Sequence, residues 1–131
     1  MCLGDRLQIG SALLEVSQAR QPCWKLNDRF AMPDMALRVQ RAARTGWYYR
    51  VLEPGVLRAG DSIMRVARPF PQWSLLRLLV VLYRRPLHAQ ALLEMLALPL
   101  PPSWRRLVEQ RLVRERVEDW SARLGGPAHA P

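Results

Sequence analysis

Two prolines, Pro69 and Pro71, separate two parts of the chain that differ in hydrophobic periodicity. Before them, short runs rich in aromatic and β-branched residues are interrupted by Gly and Pro, a pattern typical of short strands. After them the alternation disappears, and apolar residues recur at helical spacing. We therefore predict a mixed α and β fold. A β-rich domain at 1–70 with an inserted helix precedes a small helical appendix at 71–126 and a disordered tail at 127–131.

The β-rich part is predicted to contain five short strands and one helix. In chain order these are two strands on either side of the turn Gly10-Ser11, a loop at 19–25, a helix from Pro33 to Arg44, and three strands within 46–68 divided by Pro54-Gly55 and Gly60-Asp61. Five short strands leave open sheet edges. Such a sheet needs further chain, a second copy or strand exchange to close.

The helical part is predicted to contain four helices. They span 74–84, 88–97, 103–114 and 117–124, with Ser74 and Ser103 as N-caps of the first and third and Gly125-Gly126 as the stop signal of the last. We expect Trp73, Trp104 and Trp120 to anchor this part of the protein through their large apolar rings.

Length and cysteine content restrict the class of protein. The chain of 131 residues is long enough for one domain or two small ones. Its 2 cysteines, Cys2 and Cys23, do not suggest a disulfide framework or a structural zinc site. The longest uncharged apolar run, Leu78 to Tyr83, is far shorter than the ~20 residues that span a membrane. We therefore expect a cytoplasmic protein with no membrane contact.

The net charge of +9 is spread along the whole sequence, and Lys25 is the only lysine among its basic residues. This charge indicates an anionic partner, although an arginine bias is also what a GC-rich genome produces. One hypothesis is a non-enzymatic helical module that binds an acidic protein or nucleic acid through Arg77, Arg84, Arg85, Arg105, Arg106, Arg111 and Arg114. Against nucleic acid stand the even spread of charge and the interspersed Glu109, Glu115, Glu118 and Asp119.

No motif of the common hydrolases or nucleotide-binding enzymes occurs in the sequence. GxGxxG, GxxxxGK[ST], HExxH and GxSxG are all missing. The only histidines, His88 and His129, stand at a predicted helix start and in the tail, so a catalytic dyad or triad built on histidine is not expected. The carboxylates show no apolar pairing of the kind used for acid and base hydrolysis.

Cys23 is the residue that remains as a candidate for chemistry. It follows a predicted strand end and Pro22, whose fixed φ would hold the thiol at one place. Arg20 and Lys25 stand close in sequence and favour the thiolate, which is a soft metal ligand. The alternative is a small buried core residue, which free cysteines often are.

Several segments of the sequence resemble one family, in the order in which the family carries them. They are GDRLQIG (4–10), LEVSQARQPCWKL (14–26), RTGWYYRVLEPG (44–55), GD (60–61), WSLLRLLVVLY (73–83) and SWRRLVEQRL (103–112). Together they resemble the MOSC family, which is related to the C-terminal part of molybdenum cofactor sulfurases. Within it they resemble the bacterial branch that reduces N-hydroxylated compounds such as 6-hydroxylaminopurine. The most specific pieces are PC-x-KL and TGWY-x-RV.

The resemblance implies a partial MOSC β-barrel whose cleft binds the molybdenum cofactor, Mo-molybdopterin, followed by a three-helix C-terminal domain. Cys23 matches the family cysteine that coordinates molybdenum, so it would be both metal ligand and catalytic residue. The implied reaction is a two-electron reduction that converts an N-hydroxyl group into an amine. The implied partners are a small N-hydroxylated substrate and an electron-donor protein, and the open sheet also leaves room for a dimer.

The phosphate carried by the pterin gives the nearby basic residues an implied role. Arginine forks suit phosphate, which makes Arg20, Arg44 and Arg50 candidate cofactor-binding residues, with Lys25 as an additional point charge.

Residues 45–49 follow the predicted helix and have two interpretations each. Thr45 and Gly46 would offer a hydroxyl and a backbone N–H to the cofactor, although Gly46 is equally well explained as a helix terminator. Trp47, Tyr48 and Tyr49 would either flank a flat purine-like substrate or alternate between core and solvent, and we favour the second.

One part of the family pattern is missing from the sequence. Family members carry a longer N-terminal region that supplies the first barrel strands and a Gly-Glu-Asn-Leu-type segment of the cofactor cleft, whereas this sequence opens with Met1. We therefore hypothesise an N-terminally truncated sequence, arising from a truncated gene or a misassigned start codon. Such a chain would hold half a cofactor site and bind the cofactor poorly or not at all.

Overall fold

Four strands, β1 (Arg6–Ile9), β2 (Ala12–Ala19), β3 (Trp47–Glu53) and β4 (Ile63–Ala67), form one antiparallel sheet in the computed structural model, which describes residues 1–126. Their spatial order is β3-β2-β1-β4, so β3 and β4 are the edges. The predicted hairpin is confirmed, because β1 pairs with β2 across a turn in which Gly10 has a φ of 54°. A positive φ at that place suits glycine. Within residues 1–126 the sheet does not close into a barrel.

Six helices accompany the sheet in this part of the chain. They are α1 (Lys25–Arg29), α2 (Met35–Ala42), α3 (Leu75–Tyr83), α4 (Ala89–Leu96), α5 (Pro102–Arg114) and α6 (Ser121–Gly125). The predicted helices that correspond to α2, α3, α4 and α5 are confirmed, with ends that differ by a few residues at most. The Ser74 cap is also confirmed, since its hydroxyl accepts the backbone N–H of Arg77 at 3.1 Å. No helix in the described region has the length and apolar character needed to cross a membrane.

The prediction of three strands within 46–68 is wrong, because only β3 and β4 form there. In the loop between them, the Val56 N–H donates to the Ser11 hydroxyl at 2.8 Å, and the Ser11 N–H donates to the Val56 carbonyl at 3.1 Å. Asp61 Oδ2 accepts the Arg58 N–H at 2.7 Å and closes a turn. The contacts to the β1–β2 turn take the place of the ladder that a middle strand would need.

Two further boundaries differ from the predictions. Ser103 is not the N-cap of α5, because the Pro101 carbonyl accepts the first helical N–H groups and Pro102 begins the helix with its fixed φ. The loop predicted at 19–25 ends earlier than expected, since α1 begins at Lys25.

The last helix is shorter than its predicted span of 117–124, because Glu118 is held outside it. The Glu118 carboxylate accepts Arg111 Nε at 2.9 Å and Arg111 Nη2 at 2.6 Å, while Arg111 Nη1 donates to the Leu82 carbonyl at 2.8 Å. Burial raises the pKa of Glu118, but the hydrogen bonds from Arg111 and Trp120 outweigh it and bring that pKa below its usual value. The buried Arg111 thus fixes the segment that leads into α6.

One apolar core joins the sheet to the helices. Its members include Leu3, Val16, Ala19 and Ala43 before Pro69, and Trp73, Leu78, Leu82, Met95, Trp104 and Val108 after it. The expected anchoring role is confirmed for Trp73 and Trp104, which are buried, while Trp120 is partly buried. The helices therefore pack against the sheet mainly at β2, while β3 and β4 stay exposed.

Asp5 is a buried carboxylate at the entry to β1. It accepts the Cys2 N–H at 2.9 Å and both Arg68 Nε and Arg68 Nη2 at 2.8 Å. Burial raises the pKa of Asp5, but the hydrogen bonds from Arg68 and Cys2 and the charge of Arg68 lower it by more than burial raises it. The pKa of Asp5 therefore lies below its usual value. This pair joins the start of the sheet to the segment before α3.

We predict that Asp5→Asn lowers the free energy of unfolding at neutral pH by roughly 2 kcal/mol, because the hydrogen bonds to a buried carboxylate lose their charge assistance. Since the folded pKa of Asp5 is depressed, this contribution is full above the ordinary value of 3.8 and is lost as the pH falls through the folded pKa. Urea unfolding measured from neutral to acid pH checks this. The control is Asp34→Asn, whose exposed pair with Arg38 is worth less than about 0.5 kcal/mol. A loss at Asp5 no larger than at Asp34 would contradict the prediction.

The edges of the sheet expose large apolar side chains. Ile63, Met64 and Val66 of β4 and Val51 of β3 are each more than half exposed. Unpaired strand edges with apolar side chains favour association with other chains. The open edges expected from the sequence are therefore present in the described region.

We predict that Val66→Lys reduces self-association at equal protein concentration, because a charge on an edge strand opposes edge-to-edge pairing. Sedimentation velocity measures the effect, and thermal unfolding checks that stability is retained. Val113→Lys on α5 is the matched control, since Val113 is 83% exposed and lies outside the sheet. An equal reduction by both variants would show that added charge, and not the sheet edge, is responsible.

Candidate functional site

The loop between β2 and α1 carries Cys23. The thiol is free and partly buried, and it follows the buried Pro22. Arg123 of α6 holds this loop: its Nη1 donates to the Pro22 carbonyl at 2.5 Å, and its own carbonyl accepts the Trp24 N–H at 2.8 Å. Contacts on both sides of Cys23 therefore restrain its position.

Arg123 also connects the Cys23 loop to α2 and α3. Its Nη2 donates to Gln40 Oε1 at 2.7 Å, and its guanidinium carbon lies 5.6 Å from the ring centroid of Tyr83 and 5.8 Å from that of Trp120. Burial raises the pKa of Tyr83, and the Arg123 charge opposes part of that effect. Sequence analysis missed Arg123, because nothing in its local sequence distinguishes it from the other arginines.

Asn27 of α1 supports the other end of the loop. Its Nδ2 donates to the Leu124 carbonyl at 2.8 Å, and its Oδ1 accepts the Ala36 N–H at 2.8 Å. The side chain is buried, so these two bonds satisfy polar atoms that would otherwise lack partners. Sequence analysis missed this residue as well, although an asparagine directly after PC-x-KL was an available signal.

A cleft of about 450 Å³, here called the α2–β3 cleft, opens where the end of α2 meets the starts of β3 and α3. Its lining residues are Met1, residues 43–47, Ser74, Leu75, Leu76 and Leu79. Helix α2 ends because Ala43 adopts a left-handed φ of 54°, and Gly46 has a φ of 72°. A Cβ at Gly46 would meet nothing within 4 Å, so the backbone there faces open space.

The structure brings three of the predicted cofactor residues to this cleft and bonds the backbone of a fourth to one of them. Arg44, Thr45 and Gly46 line it, and the Arg20 N–H donates to the Gly46 carbonyl at 3.0 Å. Cys23 is three residues beyond Arg20, so the Cα atoms of the two are at most about 11 Å apart. The strand end that leads into the Cys23 loop is therefore joined to the α2–β3 cleft through the Arg20–Gly46 hydrogen bond.

Two predicted cofactor residues lie elsewhere. Arg50 pairs with Glu15 at 3.3 Å, and Glu15 also binds Arg6. Because Arg50 stands opposite Glu15 in the sheet, it is about 13 Å along the strand from Ala19. Lys25 is exposed on α1. Cofactor binding by Arg50 and Lys25 stays a prediction.

The prediction that Trp47, Tyr48 and Tyr49 alternate between core and solvent is wrong, since all three are exposed. The reason is that β3 is an edge strand without a covering helix on either side of these residues. Trp47 lines the α2–β3 cleft, and its ring makes an edge-to-face contact with Tyr49 at 6.3 Å. An aromatic wall is thus available beside the cleft.

The remaining thiol and imidazole have structural surroundings. Cys2 is buried, and its Sγ donates to the Pro71 carbonyl at 3.6 Å. His88 caps α4 by accepting the Ala91 N–H on Nδ1 at 3.3 Å, while His129 lies outside the described residues. Among residues 1–126, no three His, Cys, Asp or Glu side chains converge on a point where they could hold a metal ion.

Comparison with known families gives two matches in sequence order. Residues 1–64 match the MOSC domain, and residues 73–114 match the YiiM-like, 3-alpha helix domain. Residues 1–64 of this chain belong to the MOSC domain family. A protein named Reductase from Gibberella moniliformis is 39% identical over 113 residues, which cover 86% of this chain and 20% of that protein.

Relatives named YiiM resemble the chain in both sequence and structure. Protein YiiM of Escherichia coli is 33% identical over 125 residues, covering 95% of this chain and 55% of YiiM. The crystal structure of YiiM from Escherichia coli superposes with a TM-score of 0.88 at 31% identity, covering 96% of this chain and 63% of that one. YiiM from Geobacillus stearothermophilus gives 0.81 at 34% identity, covering 86% and 58%. This chain thus spans little more than half the length of the YiiM proteins and a fifth of the Reductase.

We predict that Arg123→Gln increases the rate at which Cys23 reacts with a thiol reagent by about tenfold, because loss of the Arg123 contacts lowers the cost of loop opening by roughly 1.4 kcal/mol. Labelling of the Cys2→Ser background, which leaves Cys23 as the only thiol of the chain, measures the rate. Arg114→Gln on α5 is the matched control, since Arg114 is exposed and distant in the chain from the loop. Equal labelling rates in the two variants would show that Arg123 does not restrain the loop.

Proposed function

We propose that this chain forms part of a molybdenum-cofactor-dependent reductase of N-hydroxylated compounds, with Cys23 as the protein ligand to molybdenum. The observation that carries the proposal is a free, partly buried thiol on a restrained loop, within a chain that matches the MOSC domain. The strand end before this loop is hydrogen-bonded to Gly46 of the cleft that Arg44 and Thr45 also line. A relative that is named Reductase also supports it.

The chemistry of Cys23 suits this role. A thiolate is a soft ligand of the kind that molybdenum takes, and the pterin dithiolene contributes two further sulfur atoms, so a single protein cysteine is sufficient. Cys23 is the more accessible of the two thiols, since Cys2 is buried against Pro71. The contacts of Arg123 and Asn27 limit the movement of the loop and would keep the sulfur in one orientation.

The α2–β3 cleft suits the phosphate of the pterin. Arg44 can form two parallel hydrogen bonds to a phosphate, and Thr45 adds a hydroxyl. Gly46 leaves its backbone open to a ligand, because no side chain shields it. The backbone of Arg20 is held beside the cleft by its bond to the Gly46 carbonyl, and we propose that its exposed side chain adds a second guanidinium.

The proposed reaction breaks the N–O bond of a hydroxylamine, consumes two electrons and two protons, and releases an amine and water. The molybdenum cofactor, when bound, supplies the two electrons. The chain contributes the thiolate of Cys23 and positions the substrate, for which the exposed ring of Trp47 at the cleft offers a flat apolar contact. Because the sheet does not close into a barrel within residues 1–126, we propose that these residues hold part of the cofactor site.

We predict that the chain purified from a host rich in molybdenum cofactor carries molybdenum well below one atom per chain, and that Cys23→Ser reduces it to background. The variant should also lose reduction of 6-hydroxylaminopurine driven by reduced methyl viologen. Elemental analysis and chromatographic detection of the amine product give the two readouts. Cys2→Ser is the matched control, and it should retain both properties because Cys2 packs in the core.

The outcomes separate the parts of the proposal. Molybdenum at background in the unaltered chain, or equal molybdenum in Cys23→Ser and the unaltered chain, would refute cofactor binding through Cys23. One molybdenum per chain would support the ligand role and refute the idea of a partial site. Loss of molybdenum and activity in Cys2→Ser alone would move the ligand role to the other thiol.

A further inference from the structure

A second cleft, here called the α2–α3 cleft, lies next to Arg123. It measures about 430 Å³, and its lining residues are Leu37, Gln40, Arg41, Tyr83, Arg84 and Trp120. Leu37, Tyr83 and Trp120 are partly buried and form an apolar floor, whereas Arg41 and Arg84 are exposed at the rim. An apolar centre with a charged rim is the usual composition of a protein interface, and here the rim is cationic.

The two rim arginines lack carboxylate partners in the described part of the chain. Six other arginines form ion pairs there, but Arg41 and Arg84 do not. Instead Arg84 Nη2 donates to the Arg41 carbonyl at 2.7 Å, which keeps the two residues side by side, and the exposed Arg85 follows. The dipoles of α2 and α3 favour a cation at the C-terminal end of each helix. They do not explain why the Arg84 side chain bonds to the Arg41 backbone. Because like charges repel, an anionic partner would stabilise the pair.

The α2–α3 cleft is connected to the Cys23 loop through one side chain. Gln40 lines the cleft and accepts Arg123 Nη2, and Arg123 Nη1 donates to the carbonyl of Pro22, the neighbour of Cys23. A protein docked in this cleft would therefore lie close to the loop that carries the proposed metal ligand.

The surroundings of the cleft favour an acidic protein over a nucleic acid. Tyr83 and Trp120 pack edge to face at 5.6 Å, and Arg123 lies against both rings, so ring contacts that a nucleic-acid base would use are already made. Two carboxylates stand near Trp120, but neither pairs with a rim arginine: Glu118 is bound by Arg111 and by the Trp120 indole N–H, and Asp119 is bound by Ser121. Arg41 and Arg84 therefore keep their charges available for the carboxylates of a partner.

We propose that the α2–α3 cleft is the docking site of an acidic electron-carrier protein, whose carboxylates pair with Arg41 and Arg84 and whose apolar side chain enters the cleft. The proposal rests on the proposed function, since that reaction consumes two electrons that a reductant must deliver. An acidic ferredoxin or flavodoxin has the required chemistry.

Binding of the full chain to an acidic [2Fe–2S] ferredoxin and to an acidic flavodoxin tests the docking site directly. We expect affinity for at least one carrier at roughly 0.01 M salt that weakens toward roughly 0.15 M, because exposed charges are screened. Arg41→Glu/Arg84→Glu should weaken binding at least about tenfold. The matched control, Arg65→Glu/Arg106→Glu, changes the net charge equally at exposed sites on β4 and α5 and should alter affinity by less than about twofold.

Further measurements keep the test decisive. Because Arg84 bonds to the backbone, Arg41→Glu alone serves if the double variant does not fold, and about a threefold loss is expected. Equal losses in the double variant and its control, or no binding of either carrier, would overturn the proposal. A single-stranded DNA oligonucleotide that binds more tightly than both carriers, and loses binding in the double variant, would also overturn it.

Activity driven by reduced methyl viologen separates this proposal from the proposed function, because a small dye needs no docking site. Carrier binding lost in the double variant, with dye-driven activity retained, supports both. Carrier binding that depends on Arg41 and Arg84 in a chain without molybdenum or dye-driven activity supports the docking site and refutes the proposed function. Dye-driven activity together with carrier binding that does not depend on these arginines supports the proposed function and refutes the docking site.

Discussion

Burial of α3 on most of its surface is the constraint around which the other elements are arranged. Its buried residues are Leu75, Leu78, Leu79, Val81 and Leu82, and each fully buried leucine contributes roughly 2 kcal/mol to stability. The start of α3 is joined to the N-terminal segment, where the Leu3 N–H donates to the Trp73 carbonyl at 3.0 Å. Its end contributes the Leu82 carbonyl to Arg111 and the Tyr83 ring to Arg123. The sheet, the irregular segments and the candidate site are thereby held to one helix.

Arginine side chains hold the irregular segments together in this protein. Arg105 donates to the carbonyls of Leu96 and Leu98 at 3.0 Å, where α4 ends, and Arg111 and Arg123 fix the segments around α6 and Cys23. A guanidinium carries five N–H donors in a rigid fork, so one side chain can serve several carbonyls at once. The side chains of Arg41 and Arg44 make no such contact within residues 1–126, and each borders one of the two clefts.

The open sheet and the candidate site belong to the same part of the molecule. Strand β3 is an edge strand, and Trp47 at its start lines the α2–β3 cleft. Exposed rings and an open cleft at a sheet edge leave apolar surface that a partner or substrate can cover. The chain spans 55% of Escherichia coli YiiM. The shared fold therefore includes the sheet and the helices described above but not the remaining part of that relative.

The sequence by itself determined the local elements and the candidate cysteine. Turn residues such as Gly10, helical spacing, and the strings around Cys23 and Gly46 act over a few residues, so they predicted the hairpin, four of the helices and the family. Only the tertiary structure decided which segments meet. Arg123 and Pro22 are 101 residues apart in the chain, and no local pattern encodes their hydrogen bond. The same holds for the loop at Val56, which bonds to Ser11 instead of forming a strand. It also holds for Arg50, which the register of β3 places opposite Glu15 and outside the α2–β3 cleft. Such contacts depend on long-range packing, because each partner is one of many equivalent donors or acceptors until the core brings the two together.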